Sequence, residues 1–506
     1  MMMTWSRTQL GKGRRRLARG SAHRGVMVVV AAGAVVCAGL LTGAGLAPAA
    51  AGVRADARGV RWGTAEEVPG LAALNKGGKA RVTSVSCWSV NNCAAGGFYT
   101  DRRGHRQAFV VAERKGRWDD AVQVPGLAAL NKGENAQVVS VSCAPRGYCA
   151  AGGYYTDSSG HGQAFVVTRP AHRWRAAVEV PGLAALNTSG SAGVASVSCR
   201  GAGDCAAGGS YTGAGGGQGF VVSQKGGVWG TALEVPGLAA LNLGGAAGVS
   251  SVSCGSAGNC AAGGTYTSGA FDAPTEAFVV SEDNGVWGTA LEVPGTAALN
   301  LGGAAGVDSV SCAPDGYCAA GGYYTDYPYD YTSVFAATAS NGIWGTAVAW
   351  DGGLASGPSD NIVVSCPAAG SCALDGVCVS CGSESGQGQP FVISQDNGVW
   401  RPLEALPGFY AYGESTSLSC ASAGNCGAGG VNVPNAYPGG GRTRPFVASE
   451  TNGRWANAEL YPGAQALNKG RDAGVYSVSC PSPGHCSAAG FYTDAKGHQQ
   501  AFVGRP

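Results

Sequence analysis

Tryptophan returns with a near-fixed period along this chain: Trp62, Trp118, Trp174, Trp229, Trp287, Trp344, Trp400 and Trp455 stand 55 to 58 residues apart. Between them one order of segments repeats, as in WDDAVQVPGLAALNKGENAQVVSVSCAPRGYCAAGGYYTDSSGHGQAFVVTRPAHR of the second copy. A unit of this size cannot bury a core alone, so the copies must stack against one another. The repeat therefore overrides the three or so domains that 506 residues would otherwise suggest.

Each unit contains four strand-like runs: VVSVSC with apolar and small residues alternating, a Gly-rich then aromatic CAAGGYYT, a β-branched and aromatic QAFVV, and WxxAxEVPG ending at Pro-Gly. Short runs at regular spacing between turn residues are an all-β signature, and no stretch carries a sustained helical period. With 86 glycines and only 13% charged residues, the composition is rich in turn formers. Four strands in about 56 residues match one blade of a propeller. The expected fold is an all-β, eight-bladed β-propeller over residues 61–506. The first unit begins with its Trp strand and the eighth ends on its third strand, Ala501-Phe502-Val503. Pairing the two closes the ring and removes two open sheet edges.

Ahead of the repeats, Arg14, Arg15, Arg16, Arg19 and Arg24 precede an apolar run from Val26 to about Leu46, which small residues close at Ala49-Ala50-Ala51. This reads as a signal peptide over 1–51 and a short linker over 52–60, with an uncleaved membrane anchor as the other reading. A secreted monomer with no membrane span in the mature chain is expected. Net charge is +2 and most of the basic excess lies in the first 25 residues, so nucleic acid is not an expected partner.

Every repeat holds one C-x5-C pair. The pairs are Cys87 and Cys93, Cys143 and Cys149, Cys199 and Cys205, and Cys254 and Cys260 in the first four repeats. In the last four they are Cys312 and Cys318, Cys366 and Cys372, Cys420 and Cys426, and Cys480 and Cys486. Each pair brackets a turn between the first and second strands, where cross-strand neighbours lie within disulfide reach. Zinc sites use shorter spacings and four convergent ligands, so eight disulfides within repeats are expected, with no metal and no cofactor. Cys378 and Cys381 stand outside the pattern. A redox C-x-x-C wants a helix N-terminus that is absent here, so a local staple is the favoured reading over a redox pair.

Two repeats carry Ser281-Glu282-Asp283-Asn284-Gly285-Val286-Trp287 and Ser394-Gln395-Asp396-Asn397-Gly398-Val399-Trp400 just before the fourth strand. These segments resemble a degenerate Asp-box, the turn between third and fourth strands in Asp-box (BNR-like) secreted propellers, a group that includes sialidases. The resemblance implies a propeller turn on the face away from any ligand. It carries no catalysis over, because the arginine cluster, tyrosine nucleophile and acid of a sialidase have no counterpart that maps onto this chain.

In a propeller the loops from fourth to next first strand, and from second to third, open on one face. Here these are PGLAALNKGG and YTDxxGHxQ. They bring Asn75, Asn131 and Asn468 to the rim that holds Tyr99, Tyr155 and Tyr492, with Asp101, Asp157, Asp494 and His105, His161, His498 from three adjacent repeats. Aromatics, amides and carboxylates together suit stacking on sugar rings and hydrogen bonding to them. The plainer alternative is that Tyr packs the blades and Asn caps a turn. The expected function is a non-catalytic binding module for an extracellular glycan or cell-surface ligand. The alternatives are a glycan-active hydrolase or lyase, with Glu384, Glu414 and Asp375 as candidate acids, and a passive envelope protein.

Overall fold

A computed structural model describes residues 60–505 apart from 271–272, 327–330, 351–360, 379–387, 410–411 and 434–441. The expected signal peptide and all but Val60 of the linker lie outside the described residues. So do Cys381, Glu384 and most of the insertion in repeat seven.

Eight sheets follow one another around a ring, one for each repeat. In blade one the first three strands are Ala80–Ser89, Asn92–Thr100 and Arg106–Arg114, all antiparallel. The fourth is split into Arg117–Trp118 and Val122–Gln123. The break has a cause on the neighbouring blade. Residues between the two pieces leave the sheet so that the Ala121 N–H can donate to the Pro69 carbonyl of blade eight at 2.7 Å. Ala177 to Pro125, Ala232 to Pro181, Ala290 to Pro236, Ala347 to Pro294, Ala458 to Pro407 and Ala65 to Pro462 repeat this bond. The EVPG element thus ends one blade and ties it to the next.

The innermost strands are zipped by serine. The SVSC motif places two hydroxyls on each first strand, and both accept backbone N–H groups from the first strand of the next blade. Ser84 and Ser86 serve Val141 and Cys143 at 2.9 and 3.0 Å, and Ser140 and Ser142 serve Val197 and Cys199 in turn. These N–H groups belong to a sheet edge facing the axis and would otherwise go unpaired within the protein. Ser477 and Ser479 of blade eight serve Val85 and Cys87 of blade one, so the zipper runs through the closure. Blade six carries Val363 at the first serine position, so it has no hydroxyl to offer Leu418.

The glycine pair of the second strand solves two packing problems. A bulge in the first strand between Val82 and Ser84 pushes the Arg81 carbonyl toward Gly97, where a Cβ would sit 2.0 Å from that oxygen. On the other side of the sheet, a Cβ at Gly96 would meet Val138 of blade two at 2.7 Å. The hydrophobic core is therefore distributed between blades. One such cluster joins Val82, Val85, Tyr99 and Phe109 of blade one to Ala489, Ala501 and Val503 of blade eight. Each third strand adds one fully buried phenylalanine, from Phe109 to Phe502, worth about 2 kcal/mol of burial apiece.

The ring closes as the sequence predicts. Thr64–Glu67 pairs antiparallel with Gln499–Arg505, and Arg61–Trp62 lies beside His485–Thr493.

All eight C-x5-C pairs are disulfides within their own hairpins. Cys87 bonds to Cys93, Cys143 to Cys149, Cys199 to Cys205, and Cys254 to Cys260. Cys312 bonds to Cys318, Cys366 to Cys372, Cys420 to Cys426, and Cys480 to Cys486. The two Cα atoms of each pair lie only 3.9–4.2 Å apart, because the cysteines face each other across the first two strands. These bonds fit an oxidising compartment. Cys378 is also disulfide-bonded. Among the described residues, six single helical turns, such as Leu71–Leu74, follow the PG of the fourth strand. Each is one turn long, too short to leave a helical period in the sequence. No helix among the described residues is long and apolar enough to cross a membrane.

Candidate binding face

Two loop families share one face of the ring and are stitched together. Gly77 N–H donates to the Thr100 carbonyl at 2.8 Å and Thr100 N–H to that of Lys79 at 2.9 Å, joining the LN loop to the end of the second strand. The disulfide hairpins and the Asn-Gly turns occupy the other face, where Gly116 N–H meets the Asn91 carbonyl at 2.9 Å. In the Asp-box-like segments Asn284 and Asn397 adopt left-handed φ of 51° and 50°. Each forms the tight turn between third and fourth strands that the resemblance implies.

The tyrosines expected on this face are inside it. Tyr99, Tyr155 and Tyr492 are 5%, 2% and 4% exposed. The hydroxyls of Tyr155 and Tyr492 donate to Glu179 and Glu67, the glutamates that precede VPG, at 2.9 and 3.1 Å. Burial comes first among the causes that raise these phenols, taking Tyr99 to about 12. Asn75 and Asn131 are buried as well, and Asn468 is half-buried. Asn75 donates to the Gln499 carbonyl and to Gln500 while accepting from Thr100 N–H. Asn131 holds Asn135 N–H and Thr156 N–H, and Asn468 accepts from Thr493 N–H. Tyrosine and asparagine thus build the platform that supports the loops.

The aspartates and histidines do form the contiguous arc expected across blades eight, one and two. Each aspartate organises its own loop: Asp101 accepts the N–H groups of Arg103 and His105 at 2.8 and 3.0 Å, and Asp157 and Asp494 do likewise. Burial pushes Asp101 and Asp494 upward, but the turn N–H groups and histidine hold both below the usual carboxylate range. For Asp157 the Gln163 amide is the main lowering influence. Each imidazole then reaches the LN loop of the next blade. His105 Nε2 lies 2.7 Å from Glu134 Oε2, while His498 and His161 cover Gly78 and Gly190, where a Cβ would meet the ring at 2.8 and 2.5 Å. No three metal-ligating side chains converge among the described residues.

What the repeat pattern hid is charge. On this face the loops of blades seven, eight, one and two carry Arg442, Arg444, Lys469, Arg471, Lys496, Lys76, Lys79, Arg102, Arg103 and Lys132, all exposed. The corresponding loops of blades three to five contain no lysine or arginine. Inside the arc, two arginines are fixed by aromatic rings. The Arg81 guanidinium lies 5.0 Å from the Tyr476 ring centre and 5.1 Å from that of Phe98, and donates to the Tyr476 hydroxyl at 3.0 Å. Arg106 covers Phe98 at 4.4 Å and donates to Tyr154 at 2.9 Å and Gln137 at 3.3 Å. Neither they nor the arc's loop cations pair with a carboxylate among the described residues. At the blade seven to eight junction a cavity of about 260 Å³ is lined by Arg442, Arg444 and Asn468. The signal was available by reading each repeat position down the eight copies for charge.

Of the acids weighed for catalysis, Asp375 is fully buried between blades six and seven and bonded to Ser415. It does not open on this face.

No family model and no curated protein matches this chain. Among solved structures it resembles, at 12% identity and a TM-score of 0.47, Sqt1 of Chaetomium thermophilum over 85% of this chain and 96% of that one. YCF48 from Cyanidioschyzon merolae matches at 11% identity and 0.39, covering 88% and 99%. A Hadza microbial sialidase, Hz136, matches at 10% identity and 0.36, covering 79% and 73%. At these values the likeness says nothing about activity.

Proposed function

We propose that this protein is a secreted, non-catalytic binding propeller that takes an extracellular glycan or cell-surface ligand on the face of the YTD and LN loops. One observation carries the reading: the blade interiors are near copies of one another, whereas on that face the arc from blade seven to blade two differs from the rest. Loops on a rigid scaffold are where recognition resides. The buried tyrosines and asparagines support this role by fixing the loop bases, and the Asp–His pairs by clasping each loop to the next blade. A glycan array with the disulfide-bonded protein tests it. Binding should weaken when Arg102 and Arg103 are changed together to serine, the residue blade two carries at both positions, with melting unchanged. Retained binding in that variant would place the ligand elsewhere.

A further inference from the structure

We infer that the ligand is an anionic polymer, a carboxylated or sulfated glycan chain, lying across the mouth of the ring from blade seven to blade two. This rests on the proposed binding face and names its substrate class.

Charge is segregated around the ring. Residues 61–175 contain 15 Lys and Arg against 8 Asp and Glu, whereas residues 176–350 contain 2 against 12. Like charges crowded in one sector repel one another and destabilise the compact state unless a counter-charge joins them. On the face of the YTD and LN loops the acids of the arc are already engaged. Asp101, Asp157 and Asp494 are held by turn N–H groups, and Glu134 by His105. The loop lysines and arginines of that face are left to face an outside partner.

Arg81 and Arg106 make the sector a site as well as a patch. Their guanidiniums are held against aromatic faces, so little side-chain entropy remains to be lost on binding. A planar, pre-oriented guanidinium suits a carboxylate or sulfate oxygen. Blade three has Gly193 and Gly217 at the two positions, which shows that the fold does not require arginine there. Exposed lysines and arginines on four adjacent blades extend the attraction beyond one anionic group, which fits a chain better than a single ion. Eight disulfides put the protein in an oxidising compartment, which favours a glycan over nucleic acid.

Polygalacturonate and its fully methyl-esterified form share a backbone and differ in charge, so binding of each would be measured with the disulfide-bonded protein at about 50 mM salt. The acid form should bind at least about tenfold more tightly than the ester, and salt should weaken it. The double variant Arg81→Gly with Arg106→Gly takes the residues of blade three and should cost at least about tenfold with the melting temperature kept. On the opposite face, Lys115→Asn with Arg117→Val takes the residues of blade four, removes the same charge, and should change binding less than about twofold. Equal binding of acid and ester, with both lost in R81G/R106G, overturns the anionic class and leaves the binding face standing. Equal losses in the two variants overturn both. Failure to bind polygalacturonate or dextran sulfate overturns the anionic class, and equally tight binding of single-stranded DNA overturns the glycan.

Discussion

One pair of residues breaks the packing rule of the ring and repairs it locally. At five junctions of the ring a second-strand glycine receives a valine from the next blade, as Gly96 receives Val138. Between blades six and seven these positions hold Asp375 and Ser415, which hydrogen-bond to each other while Asp375 Oδ1 stays without a partner. Burial raises the Asp375 carboxyl from 3.8 to about 7. The folded state therefore keeps the proton to about pH 7, and the unfolded chain releases it near 3.8. Stability is whole below the lower value, falls between the two, and levels off above about pH 7, a loss on the order of 4 kcal/mol. Asp375→Gly with Ser415→Val gives this junction the arrangement of those five. Thermal melts at pH 5 and pH 8 should show the double variant gaining most at pH 8 and a shallower pH slope, the rest of which Glu113 and Glu450 supply; an unchanged slope would refute the assignment. The sequence displayed both residues, but only the register placed them in contact. Tyr99 shows the converse. Its alternation in the strand was legible, yet the side of the sheet that packs on blade eight was not, so a buried tyrosine reads like a rim residue.

The serine zipper belongs to the scale of the strand. Each hydroxyl satisfies an axis-facing N–H of the neighbouring blade, a bond worth about 1 kcal/mol. Blade six lacks one because of Val363, so Val363→Ser should supply the missing acceptor for Leu418 and raise the melting temperature by a degree or two. Ser84→Ala with Ser86→Ala removes two acceptors and should lower stability by about 2 kcal/mol in a denaturant titration. The repeat made these strands and their order plain in the sequence, because alternation and turn residues have a short range. The hairpin disulfides were plain for the same reason, since Cys87 and Cys93 and their copies are partners across a single turn. The split of the fourth strand was not plain. It arises from the bond between Ala121 and Pro69 of another blade, and no local pattern encodes a partner some fifty residues away. The same limit hid the cation ladder, whose members Tyr476, Arg81, Phe98 and Arg106 come from two blades.

At the scale of the molecule the ring has two unlike halves. The residue before each periodic tryptophan is Arg61, Arg117, Arg173 or Arg454 around blades eight, one, two and seven, and Val228, Val286, Ile343 or Val399 around blades three to six. The four aliphatic positions are 69–78% exposed. The polarity of the YTD and LN loop face thus reappears on the opposite one. Closure is what holds these halves together. Removing Arg61 to Gly70 leaves blade eight with three strands and an open edge, so the truncated protein should melt several degrees lower or aggregate. A coincident melting curve would argue against a closed ring. The same joint also sets a clock. Thr64–Glu67 is among the first strands to leave the ribosome, and its partner Gln499–Arg505 is among the last. Until then the leading strand waits unpaired while seven blades assemble behind it, a delay that invites mispairing. It waits with Glu66 where blades two and three put Val178 and Leu233, and an edge that bears charge is a poor template for a stranger. Its sequence keeps the place open for a partner that arrives last.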